Sequence, residues 1–301
     1  MGPQKLAVLD LWPSWELSLR AKNRSPATIR NYRVHLLTFA KWFEAFTGTA
    51  PIVEAVEQQH IELFIADQIE RLSVSTAATR FRCLRVFFNW AADEGEIGTN
   101  PMERMTPPKL EEPEVPIFSD DELRAILAAC EGKEFSQRRD SAIIRLLIDA
   151  GLRASEIMNL STVDIDLVGR TASVMGKGAK GRTVAYGNKT AQALDRYLRS
   201  RRAHKSADSN ALWLGVRGPL GTTGLTQMLR RRSESAGVKG VNPHRFRHTW
   251  AHKWLAAGGQ EGDLQHLAGW ATGDMLRRYG ASAKAERARE AHHRLALGDE
   301  L

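Results

Sequence analysis

The sequence predicts a mostly α-helical protein with a small β-sheet, divided into two domains. Apolar residues recur at helical spacing over most of the first hundred residues and in long stretches of the second half. Three short segments with strand-like patterning follow one another between residues 163 and 186. Between the two halves, residues 100–116 hold five of the eleven prolines, and proline disrupts both helices and inner strands.

These observations divide the chain of 301 residues, which is near the size at which one core splits into two. We expect a helical domain over residues 1–100 and an extended Pro-rich linker over residues 101–116. The mixed domain follows over residues 117–301.

Four amphipathic helices are predicted in the first domain. Ser25 or Thr28 can cap the second helix, and Pro26 suits its first turn. The outer faces of the second and fourth helices are basic, whereas that of the third is acidic. The predicted ranges are 10–22, 27–46, 54–71 and 75–94.

The second domain opens with a capping box, because Glu122 stands three residues after Ser119. Gly151 is expected to end a buried helix, and Pro243 is expected to begin another. The predicted helices are 119–130, 137–150, 154–160, 190–203 and 222–236, one starting at Pro243, and a tail helix over 284–297. The predicted strands are 163–167, 170–175 and 183–186, with a small one at 212–214.

The charge distribution points to a polyanionic partner. The net charge is +8, but residues 1–116 hold 13 Lys and Arg against 15 Asp and Glu, while the remainder holds 30 against 20. The positive excess therefore lies in the second domain, which favours nucleic acid as the ligand of that domain.

Other classes of protein are disfavoured. No apolar run reaches the roughly 18 residues that span a bilayer, and the first residues lack the apolar core of a signal peptide. The two cysteines, Cys83 and Cys130, do not form a disulfide framework. We therefore expect a cytoplasmic protein that does not bind a membrane.

Five motifs carry residues suited to chemistry on a phosphate. The segment A-G-L-R-A-S-E-I at 150–157 and the glycine-rich turn M-G-K-G-A-K-G-R at 175–182 supply cations. H-R-F-R-H at 244–248 and L-A-G-W at 267–270 precede R-R-Y at 277–279. A tyrosine hydroxyl has an ordinary pKa of about 10, so it attacks only with cationic neighbours or a base nearby. The candidate residues are Arg153, Lys177, His244, Arg247, Trp270 and Tyr279, with Glu156 beside the first.

In this order and spacing, the motifs resemble those of the tyrosine recombinase (phage integrase) family over almost the whole chain. The resemblance implies a four-helix, SAM-like core DNA-binding domain followed by an α+β catalytic domain. It implies that Tyr279 attacks a DNA phosphodiester, giving a 3′-phosphotyrosine and a free 5′-hydroxyl. A 5′-hydroxyl from a partner duplex then reverses the reaction, without a metal or any other cofactor.

The resemblance also gives each residue a role. Arg153 and Arg247 clamp the non-bridging oxygens, for which planar guanidinium groups are suited. Lys177 protonates the departing 5′-oxygen, with Lys180 and Arg182 as competitors for that task. Glu156 supports the site by holding a histidine or an arginine.

Two positions keep alternatives open. His244 can accept or share the tyrosine proton, and the alternative is a histidine that caps its helix. A metal pair with His248 is disfavoured, because no H-E-x-x-H motif is present. Trp270 departs from the commonest family pattern, which has histidine there. Its indole N–H donates but cannot ionise, so Trp270 either orients a phosphate oxygen or belongs to the core.

Further arginines and lysines are expected to contact DNA, with a solvated helix face as the alternative for each. In the first domain they lie on or beside the second and fourth helices. The candidates are Arg24, Arg30, Arg33, Arg80 and Arg82, together with Lys180, Arg182 and Arg230 in the second domain.

The predicted function is site-specific recombination of double-stranded DNA, as integration or excision of a mobile element or as Xer-like resolution of replicon dimers. The resemblance implies a homotetramer on two sites, in which the tail helix docks on a neighbour, with possible accessory proteins. A type IB topoisomerase and a non-catalytic DNA-binding protein are the rival hypotheses.

Overall fold

The chain divides into two compact units, residues 1–112 and 113–301. The computed structural model describes residues 6–110, 116–176 and 181–270, with Gly273, Leu276, Arg289, His292, His293 and Ala296. Over these residues, no helix combines the length and apolar character needed to cross a membrane.

The first unit contains the four predicted helices. Ser25 caps the second, since its Oγ accepts from the Thr28 amide at 3.2 Å, and Gly48 ends that helix in the left-handed region. The third helix starts later than predicted because Val53–Ala55 forms a separate 3-10 turn. The helices are α1 (Trp12–Ala21), α2 (Pro26–Thr47), α3 (Gln58–Arg71) and α4 (Val74–Asp93).

Aromatic rings hold the first unit together. Trp15 stacks on Tyr32 with ring centroids 5.3 Å apart and meets Phe87 edge-on at 5.1 Å. Met102, which falls within the predicted linker, is buried in the same core. Packing of the first unit therefore extends past its last helix.

The second unit is mostly helical with two small antiparallel sheets. Its helices are α5 (Asp120–Ala128), α6 (Phe135–Ala150), α7 (Ala154–Met158), α8 (Asn188–Arg201), α9 (Thr222–Ala236), α10 (Pro243–Ala256) and α11 (Glu261–Ala268). The three-stranded sheet has the order β1 (Ile165–Asp166), β2 (Thr171–Met175), β3 (Gly181–Ala185). Strands β4 (Leu214–Gly215) and β5 (Gly218–Pro219) form a separate hairpin. The predicted fold class is confirmed.

Helix α6 is the centre of the second unit. Its residues Ile143, Ile144, Leu146 and Leu147 are fully buried, and it packs against α8 and α10. Gly151 ends α6 in the left-handed region, and α7 begins three residues later. Gly151 itself lies against α10, next to the ring of Trp250.

Candidate active site

The site begins at the turn between α6 and α7. Arg153 is the N-cap of α7, and its backbone amide donates to Oε2 of Glu156 at 2.9 Å. Its Nη1 also donates to Oε1 of Glu156 at 2.7 Å. The capping carboxylate thus fixes both the backbone and the guanidinium of Arg153, whose side chain stays 36% exposed.

Gly151 connects this turn to α10. Its carbonyl accepts from Nη1 of Arg247 at 2.8 Å. A Cβ at this position would lie 2.3 Å from the ring of Trp250, and φ is +55°, a conformation that L side chains rarely adopt. Only glycine therefore allows α10 to approach closely enough for Arg247 to reach this carbonyl.

Three arginines donate hydrogen bonds to consecutive backbone carbonyls at the C-terminal end of α11. Nε of Arg182 donates to Leu267 O at 2.7 Å, Nη2 of Arg247 to Ala268 O at 2.5 Å, and Nη2 of Arg153 to Gly269 O at 3.3 Å. The last carbonyls of a helix carry partial negative charge and favour cations. This helix end therefore draws together arginines from three separate segments of the chain.

Glu156 is the buried carboxylate of the cluster. Its side chain is 2% exposed, and Nη1 and Nη2 of Arg182 each donate to one of its oxygens at 2.9 Å. Burial alone would raise its pKa, but the hydrogen bonds from Arg182 and Arg153 outweigh it and lower the pKa to about 2. Glu156 is therefore ionised and holds both guanidinium groups.

We expect the stability contributed by Glu156 to be lost in acid. Because its pKa falls from 4.5 to about 2 on folding, ionisation contributes about 3 kcal/mol above pH 4.5, and this decreases as the pH falls towards 2. The measurement is the free energy of unfolding in urea of the wild type and of Glu156→Gln, at pH 7 and at pH 3. The difference in free energy of unfolding should narrow at pH 3; a pH-independent difference would contradict the assignment.

Helix α10 presents the two candidates of the H-R-F-R-H motif at different depths. His244 is exposed in the first turn, whereas Arg247 is 3% exposed. The ring of His248 lies edge-on to that of His244, with centroids 4.3 Å apart. His244 is thus supported from beneath by a buried histidine.

Trp270 lies in the core, the second of the two interpretations considered for it, and its role in orienting a phosphate oxygen stays a prediction. It is 7% exposed and belongs to a core cluster with Trp250, Leu255 and Leu264. The guanidinium carbon of Arg247 lies 5.3 Å from the centroid of its ring. Trp270 is therefore a core residue that also packs against one of the clustered arginines.

Three predicted site residues lie outside the described residues: Lys177, Lys180 and Tyr279. So does most of the tail helix expected over 284–297. The strands flanking the glycine-rich turn are described, and Met175 pairs with Gly181 in the β2–β3 ladder. The glycine-rich segment therefore follows β2 and leads into β3, the strand that carries Arg182.

Arg182 is placed differently from the exposed position that we expected for a DNA contact. Its side chain is 8% exposed, and all three of its nitrogens donate within the cluster. The alternation of β3 explains this, because Arg182 shares a face with the buried Val184. The strand was predicted to begin at residue 183, which left Arg182 in the glycine-rich turn, whereas β3 begins at Gly181.

The other expected DNA contacts are mostly exposed. Arg80 differs, because it is half-buried, and its Nε has no hydrogen-bond partner in the part of the chain described. Arg33 lies 5.9 Å from the ring of Trp12, and Arg230 lies 3.8 Å from Glu234. The exposed residues are Arg24, Arg30, Arg33, Arg82 and Arg230.

Comparison of the sequence with models of protein families identifies the family to which the chain belongs. Residues 117–286 match the model of the phage integrase family, and residues 14–95 match its N-terminal SAM-like domain. The chain belongs to the phage integrase family. It is a tyrosine recombinase, an enzyme that cleaves and rejoins DNA at specific sites.

Relatives share nearly the whole length. The chain is 30% identical to the tyrosine recombinase XerC of Pelobacter propionicus, over 86% of this chain and 85% of that protein. It is also 30% identical to XerC of Actinobacillus pleuropneumoniae serotype 7, over 89% of this chain and 88% of the relative.

A solved structure shows the same fold. The XerH site-specific recombinase bound to a palindromic difH substrate superposes with a TM-score of 0.75 at 19% identity, over 90% of this chain and 81% of that one. This likeness concerns the fold alone. The family match and the XerC relatives confirm the predicted family and reaction, and the roles of individual residues remain predictions.

Proposed function

We propose that this recombinase exchanges strands through Tyr279 and that Arg153 and Arg247, two of the three arginines on the C-terminal end of α11, bind the scissile phosphate. The tyrosine oxygen forms a bond to phosphorus as the bond to the 5′-oxygen breaks. His244 takes the tyrosine proton, and Lys177 gives a proton to the leaving oxygen. The three-carbonyl arrangement at Leu267–Gly269 is the observation that carries this proposal.

The cluster supports a division of labour among the arginines. Arg153 has more N–H donors than its bonds to Glu156 and Gly269 use, and its side chain is 36% exposed. It is therefore suited to receive phosphate oxygens in a preorganised position. Arg247 adds charge beneath it, while Arg182 holds Glu156 and does not contact DNA.

The proposal extends to the assembly. Four copies would act on two double-stranded sites in the cytoplasm, with the first unit gripping DNA through the exposed arginines of α2 and α4. The mobile-element reaction, integration or excision, is the first candidate. Resolution of replicon dimers is the second, favoured by the 30% identity to proteins named XerC.

Trapping the intermediate tests the chemistry. The wild-type chain would first select its site from a pool of random duplexes, and that site would then be nicked close to the cleavage position so that the released fragment diffuses away. We expect a covalent complex whose DNA-linked peptide contains Tyr279. A binding protein without activity would give no complex, and linkage to another residue would refute the assignment of the nucleophile.

The selected site also separates integration from the resolution of dimers. A plasmid carrying two direct copies, with the chain as the only added protein, reports resolution. A linear duplex and a circle, each with one copy, report integration. Efficient resolution with no intermolecular product would favour the second candidate.

Arg182→Met is expected to lower the rate of covalent complex formation by about 100-fold at saturating DNA, because displaced catalytic groups cost about this much. The reason is loss of the partner that holds Glu156 and, through it, Arg153. Arg199→Met, which removes an exposed arginine of the second unit that is not among the expected DNA contacts, should leave the rate nearly unchanged. If Arg182 contacted DNA directly, the Arg182→Met variant would instead bind DNA more weakly, and its affinity would depend less steeply on salt concentration.

A further inference from the structure

Arg245 lies between the two candidates of the H-R-F-R-H motif, but its side chain binds another part of the unit. Nη2 donates to Ile117 O at 2.9 Å and to the carboxylate of Glu122 at 2.8 and 3.0 Å. Nη1 donates to Lys239 O at 2.7 Å, and the guanidinium carbon lies 3.9 Å from the centre of the Phe118 ring. Arg245 therefore binds the first residues of the second unit after the linker, residues 117–122.

The same segment is attached to α10 at further points. The amide of Phe118 donates to Oγ1 of Thr249 at 2.9 Å in a buried position, and its ring packs on Phe246 at 4.7 Å. One turn further along α10, Lys253 pairs with Asp120. Positions 245, 249 and 253 are spaced four apart, so they line one face of the helix.

That face lies roughly opposite the cluster. Residues two positions apart on a helix are rotated by about 200° around its axis. Arg245 and Arg247 therefore point to opposite sides of α10. One side holds the start of the unit through Glu122, and the other reaches Gly151 and Ala268. The helix is thus a rigid connection between the end of the linker and the arginine cluster.

Glu122 makes this attachment stiff. It accepts from the Ser119 amide at 2.9 Å as the capping box of α5, and it also pairs with Arg245, whose side chain is 12% exposed. A shielded ion pair with several hydrogen bonds has one favoured geometry, unlike an exposed pair.

We propose that Arg245 is a positioning residue that fixes where the linker leaves the catalytic unit relative to His244 and Arg247. This inference rests on the proposed function. With the linker attached at one fixed place on the catalytic unit, the rate of cleavage depends on Arg245, whereas the affinity of each unit for DNA does not.

The test combines Arg245→Met with a loosened linker in the full chain. Methionine keeps apolar contact with Phe118 but removes the ion pair and every hydrogen bond. On the selected, nicked site at saturating DNA, Arg245→Met should slow covalent complex formation about 10-fold, the cost of modest misplacement. Arg124→Met, which removes an exposed arginine of α5, is the matched control.

The linker supplies the decisive comparison. A flexible Gly-Ser-Gly-Ser insertion between Pro113 and Glu114 should itself slow cleavage, and adding Arg245→Met to it should cost less than about 2-fold more, because coupled changes are not additive. Full additivity would show that Arg245 acts only within the catalytic unit and would overturn the proposal. So would an unchanged rate for Arg245→Met.

A second variant covers loss of folding. If Arg245→Met is unfolded at the assay temperature, Glu122→Gln keeps an oxygen for the Ser119 amide while removing the charge, and it should show the same non-additivity. Failure of the wild-type chain to form any covalent complex would instead refute the proposed function. The two failures are therefore distinguishable.

Discussion

Tyr279→Phe is expected to bind its DNA site as the wild type does and to form no covalent complex. The other three tyrosines are structurally unsuited to attack. Tyr186 donates to Asp166 O at 2.9 Å, and burial together with the Asp166 carboxylate raises its pKa to about 12. Tyr197 is fully buried, which raises its pKa, and it donates to Leu212 O at 2.8 Å. Tyr32 is stacked on Trp15 in the first unit.

The matched control is Tyr186→Phe, which loses one hydrogen bond worth about 1 kcal/mol and should cleave normally. Complex formation is read on a denaturing gel and affinity by filter binding at the same salt concentration. An adduct that persists in Tyr279→Phe would place the nucleophile elsewhere. Loss of binding alongside cleavage would show that Tyr279 contributes to the DNA interface as well.

Local signals made most of the fold predictable. The range predicted for α9 is the observed one, and α10 starts at Pro243 as expected. Caps, prolines and left-handed glycines act within a few residues, so sequence alone records them. Strand β1 was predicted too long because a two-residue strand has no periodicity to read.

The site was predictable only as a set of residues. The motifs named Arg153, Arg247 and Glu156, but the α11 carbonyls that hold the arginines are backbone groups with no residue signature. Arg182 was assigned to DNA as part of the glycine-rich turn, but β3 begins at Gly181 and turns its side chain inward. Contacts between residues 20 or more positions apart in the sequence depend on how the elements pack, which the spacing of apolar residues does not encode.

Lys177→Ala is expected to be nearly inactive on ordinary DNA, because general acid catalysis contributes about 100- to 10,000-fold. The test replaces the bridging 5′-oxygen with sulfur. A thiolate departs without a proton, so Lys177→Ala should cleave that strand at close to the wild-type rate. Arg153→Ala should not be rescued, since its guanidinium, held by Glu156 and Gly269 O, acts on the non-bridging oxygens.

Lys180→Ala is the control from the same glycine-rich turn and should be mildly impaired on both substrates, as a phosphate contact would be. Rescue of Lys180→Ala in place of Lys177→Ala would transfer the general-acid role three residues along the turn. Rescue of neither would require a proton donor outside it. Arg182 is a poor candidate for that donor, because its side chain is 8% exposed and all three of its nitrogens are engaged by Glu156 and Leu267 O.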